Sequence, residues 1–166
     1  MLTDLDLHKI LFLDIETVPL YPNFEDAPEV EQRYFEEKTA YQRKENFSPQ
    51  EFYNRAGIWA EFGKIVCISV GYFGPQKKSR DFRLKTFKGE EATLLNEFKV
   101  LVEQYFNSPK HLFCGHNAKE FDFPFIARRM LIHQISIPKS LQLFNKKPWE
   151  VPHLDTLHLW RLGDYK

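Results

Sequence analysis

A chain of 166 residues with 43% hydrophobic content is the size of one globular domain with a full core, and no compositional shift divides residues 1–166 into two. Lys plus Arg balance Asp plus Glu at 23 each, which excludes a long-range pull toward polyanions or anionic membrane and confines any such site to a local patch. Acidic residues near the N-terminus and the lack of an apolar run near ~20 residues argue against a signal peptide and a spanning helix, so a cytoplasmic protein without a membrane partner is expected.

Ile10-Leu11-Phe12-Leu13 is a short apolar run flanked by charge, as expected of a central strand buried on both faces, and Pro19 is expected to stop its extension. From about 21 to 57 the pattern turns to mixed charge and aromatics. Residues 28–41 and 49–56 each open on a proline at the first helical position, the second behind Ser48 as cap, which predicts a helical insertion. With eight acids and five bases the insertion does not look like a phosphate clamp. Its Tyr34, Phe35, Tyr41, Phe47, Phe52 and Tyr53, with Trp59, are expected to pack it onto the sheet, and a substrate-gating role stays open.

Residues 64–73 are rich in β-formers and run into Gly74-Pro75, with 80–87 as the hairpin partner. Residues 90–106 place Leu94, Leu95, Phe98, Leu101, Val102 and Tyr105 at helical spacing. A strand at 111–115, a helix at about 121–132 and a strand-to-helix segment from His153 complete an α/β pattern with a mixed sheet. Cys67 and Cys114 both fall in predicted strands and read as free thiols.

Two motifs carry chemistry. Asp14-Ile15-Glu16-Thr17 closes the first strand, and alternation sends Asp14 and Glu16 to one face while Ile15 turns into the core. His116-Asn117-Ala118-Lys119-Glu120-Phe121-Asp122 follows the fourth strand and places Asp122 in the first turn of the next helix. Three carboxylates at adjacent element ends suit a hard divalent cation, since like charges side by side are costly without one.

With Leu11-Phe12-Leu13 before the first motif, residues 62–71 on the second strand, and Phe123-Pro124-Phe125-Ile126 after the second motif, the chain resembles the DEDD, or DnaQ-like, 3'-5' exonucleases of ribonuclease H-like fold. It is similar in particular to bacterial predicted exonucleases related to the exonuclease domain of family B DNA polymerases. The resemblance covers nearly the whole chain apart from 21–57. It implies a five-stranded mixed sheet with helices on both sides, and hydrolysis at 3' ends of single-stranded DNA, with RNA an alternative. It also implies two Mg²⁺ or Mn²⁺ ions on Asp14, Glu16 and Asp122. In such a site one ion activates a water and the other stabilises the leaving 3' oxygen.

Family members also carry a fourth carboxylate, four or five residues after a Tyr or His, and here the pattern departs. The acids after Asp122 are Glu150, Asp155 and Asp164, and none has that spacing. The last helix with that motif is therefore expected to be missing and hydrolysis to be weak or absent. Asp155, in a segment similar to the family's strand-to-helix passage, reads as a helix N-cap.

Four residues are candidates for substrate contact. Thr17 either donates its backbone N–H to a terminal nucleotide or caps a turn; Asn117 in the family supports the first motif. Phe121 either wedges the terminal base or packs in the core, as Phe123 and Phe125 are expected to do. Arg128 belongs to an acid-free stretch, 123–149, with Arg129, Lys139, Lys146 and Lys147, which reads equally as a polyanion footprint or as a solvated face. His116 reads as a hydrogen-bonded structural residue rather than a ligand. The alternative function is a catalytically degenerate nucleic-acid-binding domain of the same fold; a ribonuclease H-like endonuclease is disfavoured by the second motif. No protein partner is legible.

Overall fold

The computed structural model describes residues 5–43, 46–74 and 81–164. In chain order they form β1 (Ile10–Pro19), α1 (Glu29–Arg43), α2 (Pro49–Phe52), β2 (Gly63–Phe73), β3 (Phe82–Lys88), α3 (Glu91–Tyr105), β4 (Leu112–Gly115), α4 (Asp122–Ile132), β5 (Leu154–Asp155) and α5 (Thr156–Arg161). One five-stranded sheet has the order β3-β2-β1-β4-β5, antiparallel across β3, β2 and β1 and parallel across β1, β4 and β5. This is an α/β fold with a mixed sheet, and β1 is its central strand.

β1 runs on past Leu13 to Pro19, further than its apolar run suggests. The extension pairs with β2 from Asp14 opposite Ser69 to Pro19 opposite Gly63, with a register shift at Glu16 and Thr17. Pro19 closes the strand where a missing N–H removes no interior ladder bond. On its other side β1 meets β4 only through Ile10, Leu11 and Phe12. β4 then stops at Gly115, where a Cβ would stand 2.5 Å from the Ala118 side chain and 3.0 Å from the Leu13 carbonyl oxygen, so the turn that follows requires glycine.

Leu11, Leu13 and Ile15 point to one face and join Ile65, Ile68, Val70 and Phe87 in the main core. Onto that face α3 lays Leu94, Leu95, Phe98, Leu101 and Val102, while α4 lays Phe123, Ile126 and Met130. α3 opens on Glu90, whose carboxylate accepts from the N–H groups of Ala92 and Thr93. Tyr105, predicted to share the α3 stripe, is instead exposed in the last turn. The opposite face of β1 and β2 presents Asp14, Glu16 and Ser69 to solvent.

The insertion builds a second, smaller core of Phe24, Phe35, Phe52, Tyr53, Ala56 and Phe62. The Phe35 ring lies between 5.1 and 6.0 Å from those of Phe24, Tyr53, Trp59 and Phe62. Tyr34, Tyr41 and Phe47, expected to pack there, are exposed. The helix predicted over 49–56 is shorter: α2 stops after Phe52 and a 3₁₀ helix, Tyr53–Ile58, brings Gly57 against the backbone of Val18. Of the predicted hairpin, Pro75 and Arg80 lie outside the described residues, and β3 begins at Phe82. Among the described residues no helix is long and apolar enough to cross a membrane.

Candidate active site

β1 places Asp14 and Glu16 on its exposed face with Ile15 buried between them. Asp122, first residue of α4, is only 3% exposed and reaches across to β1, where its Oδ1 accepts the Ile15 N–H at 3.1 Å. Because β4 has ended, the carboxylate meets a β1 donor that the shorter strand leaves unpaired. Pro124, at the third helical position, is tolerated because N–H groups in the first turn have no intrahelical acceptor.

Burial and the nearby charge of Asp14 push the Asp122 acid up to about 6, against the pull of the backbone N–H groups that bond its charged form. Asp122 and Asp14 therefore sense one another electrostatically. Among the described residues no group of three or more His, Cys, Asp or Glu is close enough to hold a metal ion on its own. The donor set is nonetheless all carboxylate oxygen, which suits Mg²⁺ or Mn²⁺; Mg²⁺ usually binds one or two carboxylates and completes its shell with water and substrate phosphate.

A second carboxylate organises the approach to this site. Asp155, 2% exposed at the end of β5, accepts from the N–H groups of Asn117 (2.9 Å), Lys119 (3.1 Å) and Leu157 (2.9 Å). Burial pushes its acid up, but those donors win and hold it below the ordinary carboxylate range. It caps α5, as the sequence indicates, and it also fixes the loop leading to Asp122, which the sequence does not reveal. Asn117 sits in the left-handed region at φ 60°, a conformation asparagine tolerates well. His116 Nδ1 and the Thr156 hydroxyl share a hydrogen bond of 3.0 Å, the structural role expected of it.

The other candidates separate. Thr17 lies at the register shift of β1, half-buried. Phe121 is half-buried against Phe125, with ring centroids 5.4 Å apart, while Phe123 and Phe125 are core. Arg128 is exposed on a different face of α4 from Asp122. Arg129 does not belong to any polyanion footprint: 3% exposed, it bonds both Glu91 oxygens and the Ala60 carbonyl. Its acidic partner lies 38 residues upstream, on α3, so an acid-free window in the sequence conceals the pairing.

His153 is buried between rings, stacked on Phe113 at 4.7 Å. Its Nδ1 accepts the Phe113 N–H, so Nε2 donates to the Ser140 carbonyl at 2.7 Å and the ring is neutral. Cys114 is likewise buried, and its burial and the charge of Asp155 push the thiol up to about 11.

A model of the RNase_H superfamily matches residues 55–165, two thirds of the chain, and the mixed five-stranded sheet agrees with it. The chain belongs to the RNase_H superfamily. No curated protein matches it. Superfamily membership supports a nuclease-type function in nucleic-acid processing, a chemistry for which such folds typically use divalent metal. The matched span includes Asp122 and Asp155 and begins after β1, so Asp14 and Glu16 stand on motif and geometry alone.

Proposed function

We propose that this RNase_H superfamily domain is a DEDD-type, metal-dependent 3'-5' exonuclease acting on the 3' ends of single-stranded DNA, or RNA. Asp14, Glu16 and Asp122 are the residues that would hold Mg²⁺ or Mn²⁺, with water and substrate phosphate completing the shell. The observation that supports this reading best is the hydrogen bond from the Ile15 N–H to Asp122, which brings a carboxylate distant in sequence to the residue lying between the other two.

Bound ions would supply an acidified water and charge stabilisation at the leaving oxygen. The chain's own part is positional. Asp14 and Glu16 face solvent, where a strand end has access. Asp122 is fixed by β1 and by the first turn of α4, and Asp155 fixes the loop between β4 and α4. Thr17, next to Glu16 on β1, meets the terminal nucleotide through its backbone N–H, and Asn117 stands in the loop that Asp155 anchors.

The second reading, a binder without catalysis, draws on the acids after Asp122. Among them Asp155, the buried one, is already engaged by three N–H donors. Isothermal titration with Mn²⁺ separates the two. Binding by the wild type that disappears in Asp14→Ala is expected, accompanied by slow release of mononucleotide from a 3'-labelled oligonucleotide. A wild type indifferent to Mn²⁺ that still retains the oligonucleotide establishes the degenerate binder instead.

A further inference from the structure

The loop between α4 and β5 presents its large aromatic side chains outward. Phe144 is 64% and Trp149 74% exposed, on a nine-residue stretch, 142–150, that also carries Lys146 and Lys147. Lys147 lies over the Trp149 ring, 5.2 Å from its centroid. Beside Phe144 and Lys146, between the loop and the outer face of α4, lies a cavity of about 250 Å³, with Pro148 on its wall leading to Trp149 in the chain. Pro124, Ala127, Leu131 and Phe144 line its walls, and Arg128 and Lys146 bring cations to it. Neither cation is held in a salt bridge among the described residues, whereas Lys119 beside them is committed to the Val151 carbonyl. Glu150 is the acid of this loop, and it accepts the Lys147 N–H.

Each feature has an ordinary explanation by itself, but together they specify a ligand. Exposed aromatic rings interleaved with cations that make no salt bridge among the described residues, Arg128 being near enough to Glu61 only to help lower its acid, suit bases and phosphates in alternation, because every base has a face to stack and every linkage a charge to neutralise. The volume is below the roughly 300–1,000 Å³ of pockets for drug-sized ligands, and so suits one planar base better than a large cofactor. An acidic peptide would satisfy the cations but leave two exposed rings without a planar partner.

We infer that the 142–150 loop and the outer face of α4 form a strand-binding groove for single-stranded nucleic acid. In it Phe144 and Trp149 stack bases while Arg128, Lys146 and Lys147 contact phosphates. The groove rests on the exonuclease reading for its purpose: α4 begins at Asp122, so a strand whose 3' end lies at the carboxylates can continue along this helix onto the loop.

Fluorescence anisotropy with a 5'-labelled 20-nucleotide oligothymidylate, in EDTA to prevent hydrolysis, tests it. Phe144→Ala and Trp149→Ala, both at exposed positions, are each expected to weaken binding at least about fivefold. Arg128→Ala with Lys146→Ala is expected to reduce the slope of log affinity against log salt by about 1.4, two single-strand phosphate contacts at about 0.7 each. Unchanged affinity in both aromatic variants, with circular dichroism showing them folded, overturns the groove. Asp14→Ala is expected to retain oligonucleotide binding, so loss of the groove with Mn²⁺ binding intact leaves the active-site reading standing. The groove present in a chain indifferent to Mn²⁺ sinks that reading alone.

Discussion

At Asp122 two forces oppose each other. Burial and the charge of Asp14 favour the neutral acid, while the N–H groups of Ile15 and of Asp122 itself favour the carboxylate, leaving it near 6. A folded acid raised from its ordinary 3.8 contributes fully to stability below that value, and the contribution is lost as pH rises through 6. At pH 8 the ionised group therefore costs the metal-free fold on the order of 1–3 kcal/mol. Asp122→Asn keeps an oxygen for the Ile15 N–H and removes the charge. Urea denaturation should find it more stable than the wild type by about that amount at pH 8, with the difference vanishing near pH 4. Mn²⁺ should raise the melting temperature of the wild type and leave the variant unmoved. The three carboxylates themselves were legible in the sequence, because alternation on β1 and a helix start after β4 suffice to place them. The ionisation of Asp122 was not, since it depends first on its burial and then on the charge of Asp14, which only the fold brings near it.

Among the elements, the loop from β4 to α4 takes its shape from β5, a strand of two residues whose Asp155 gathers three N–H donors. Asp155→Ala leaves those donors without their acceptor in a buried setting, and a loss of about 3–5 kcal/mol is expected from chemical denaturation. Hydrogen exchange should show the Asn117 and Lys119 amides losing protection before the core of β2 does. Strands and helices with strong periodicity, such as β2 and α3, could be located from residue pattern alone. The second half of 49–56 could not, because Tyr53–Ile58 tightens into a 3₁₀ helix where Gly57 packs on Val18, a tertiary demand with no local sign. Pro19 does end β1, as its missing N–H leads one to expect, but nothing in the residue pattern shows that the strand runs on from Asp14 to Val18 along β2.

Across the whole molecule, the Glu91 carboxylate joins α3, α4 and β2. It accepts from Arg129, from the Ile65 N–H at 2.7 Å and from His133. Burial pushes its acid up, yet these donors hold it below the ordinary range. Its contribution to stability is present above about 4.5 and is lost as pH falls through the lower folded value. Arg129→Met should cost about 3–5 kcal/mol by stranding a buried charge, and adding Glu91→Met should recover part of it. Thermal melts at pH 7 check both. This pairing was invisible to sequence reading because its members occupy separate helices and each looks like an ordinary surface charge. The sheet has one further lesson. Were β4 a couple of residues longer and still in register with β1, its own carbonyls would occupy the Ile15 donor and evict Asp122. The place where that strand quits is thus a dimension of the proposed active site, and lengthening it should abolish the Mn²⁺ binding proposed for Asp14, Glu16 and Asp122 without touching an acidic side chain.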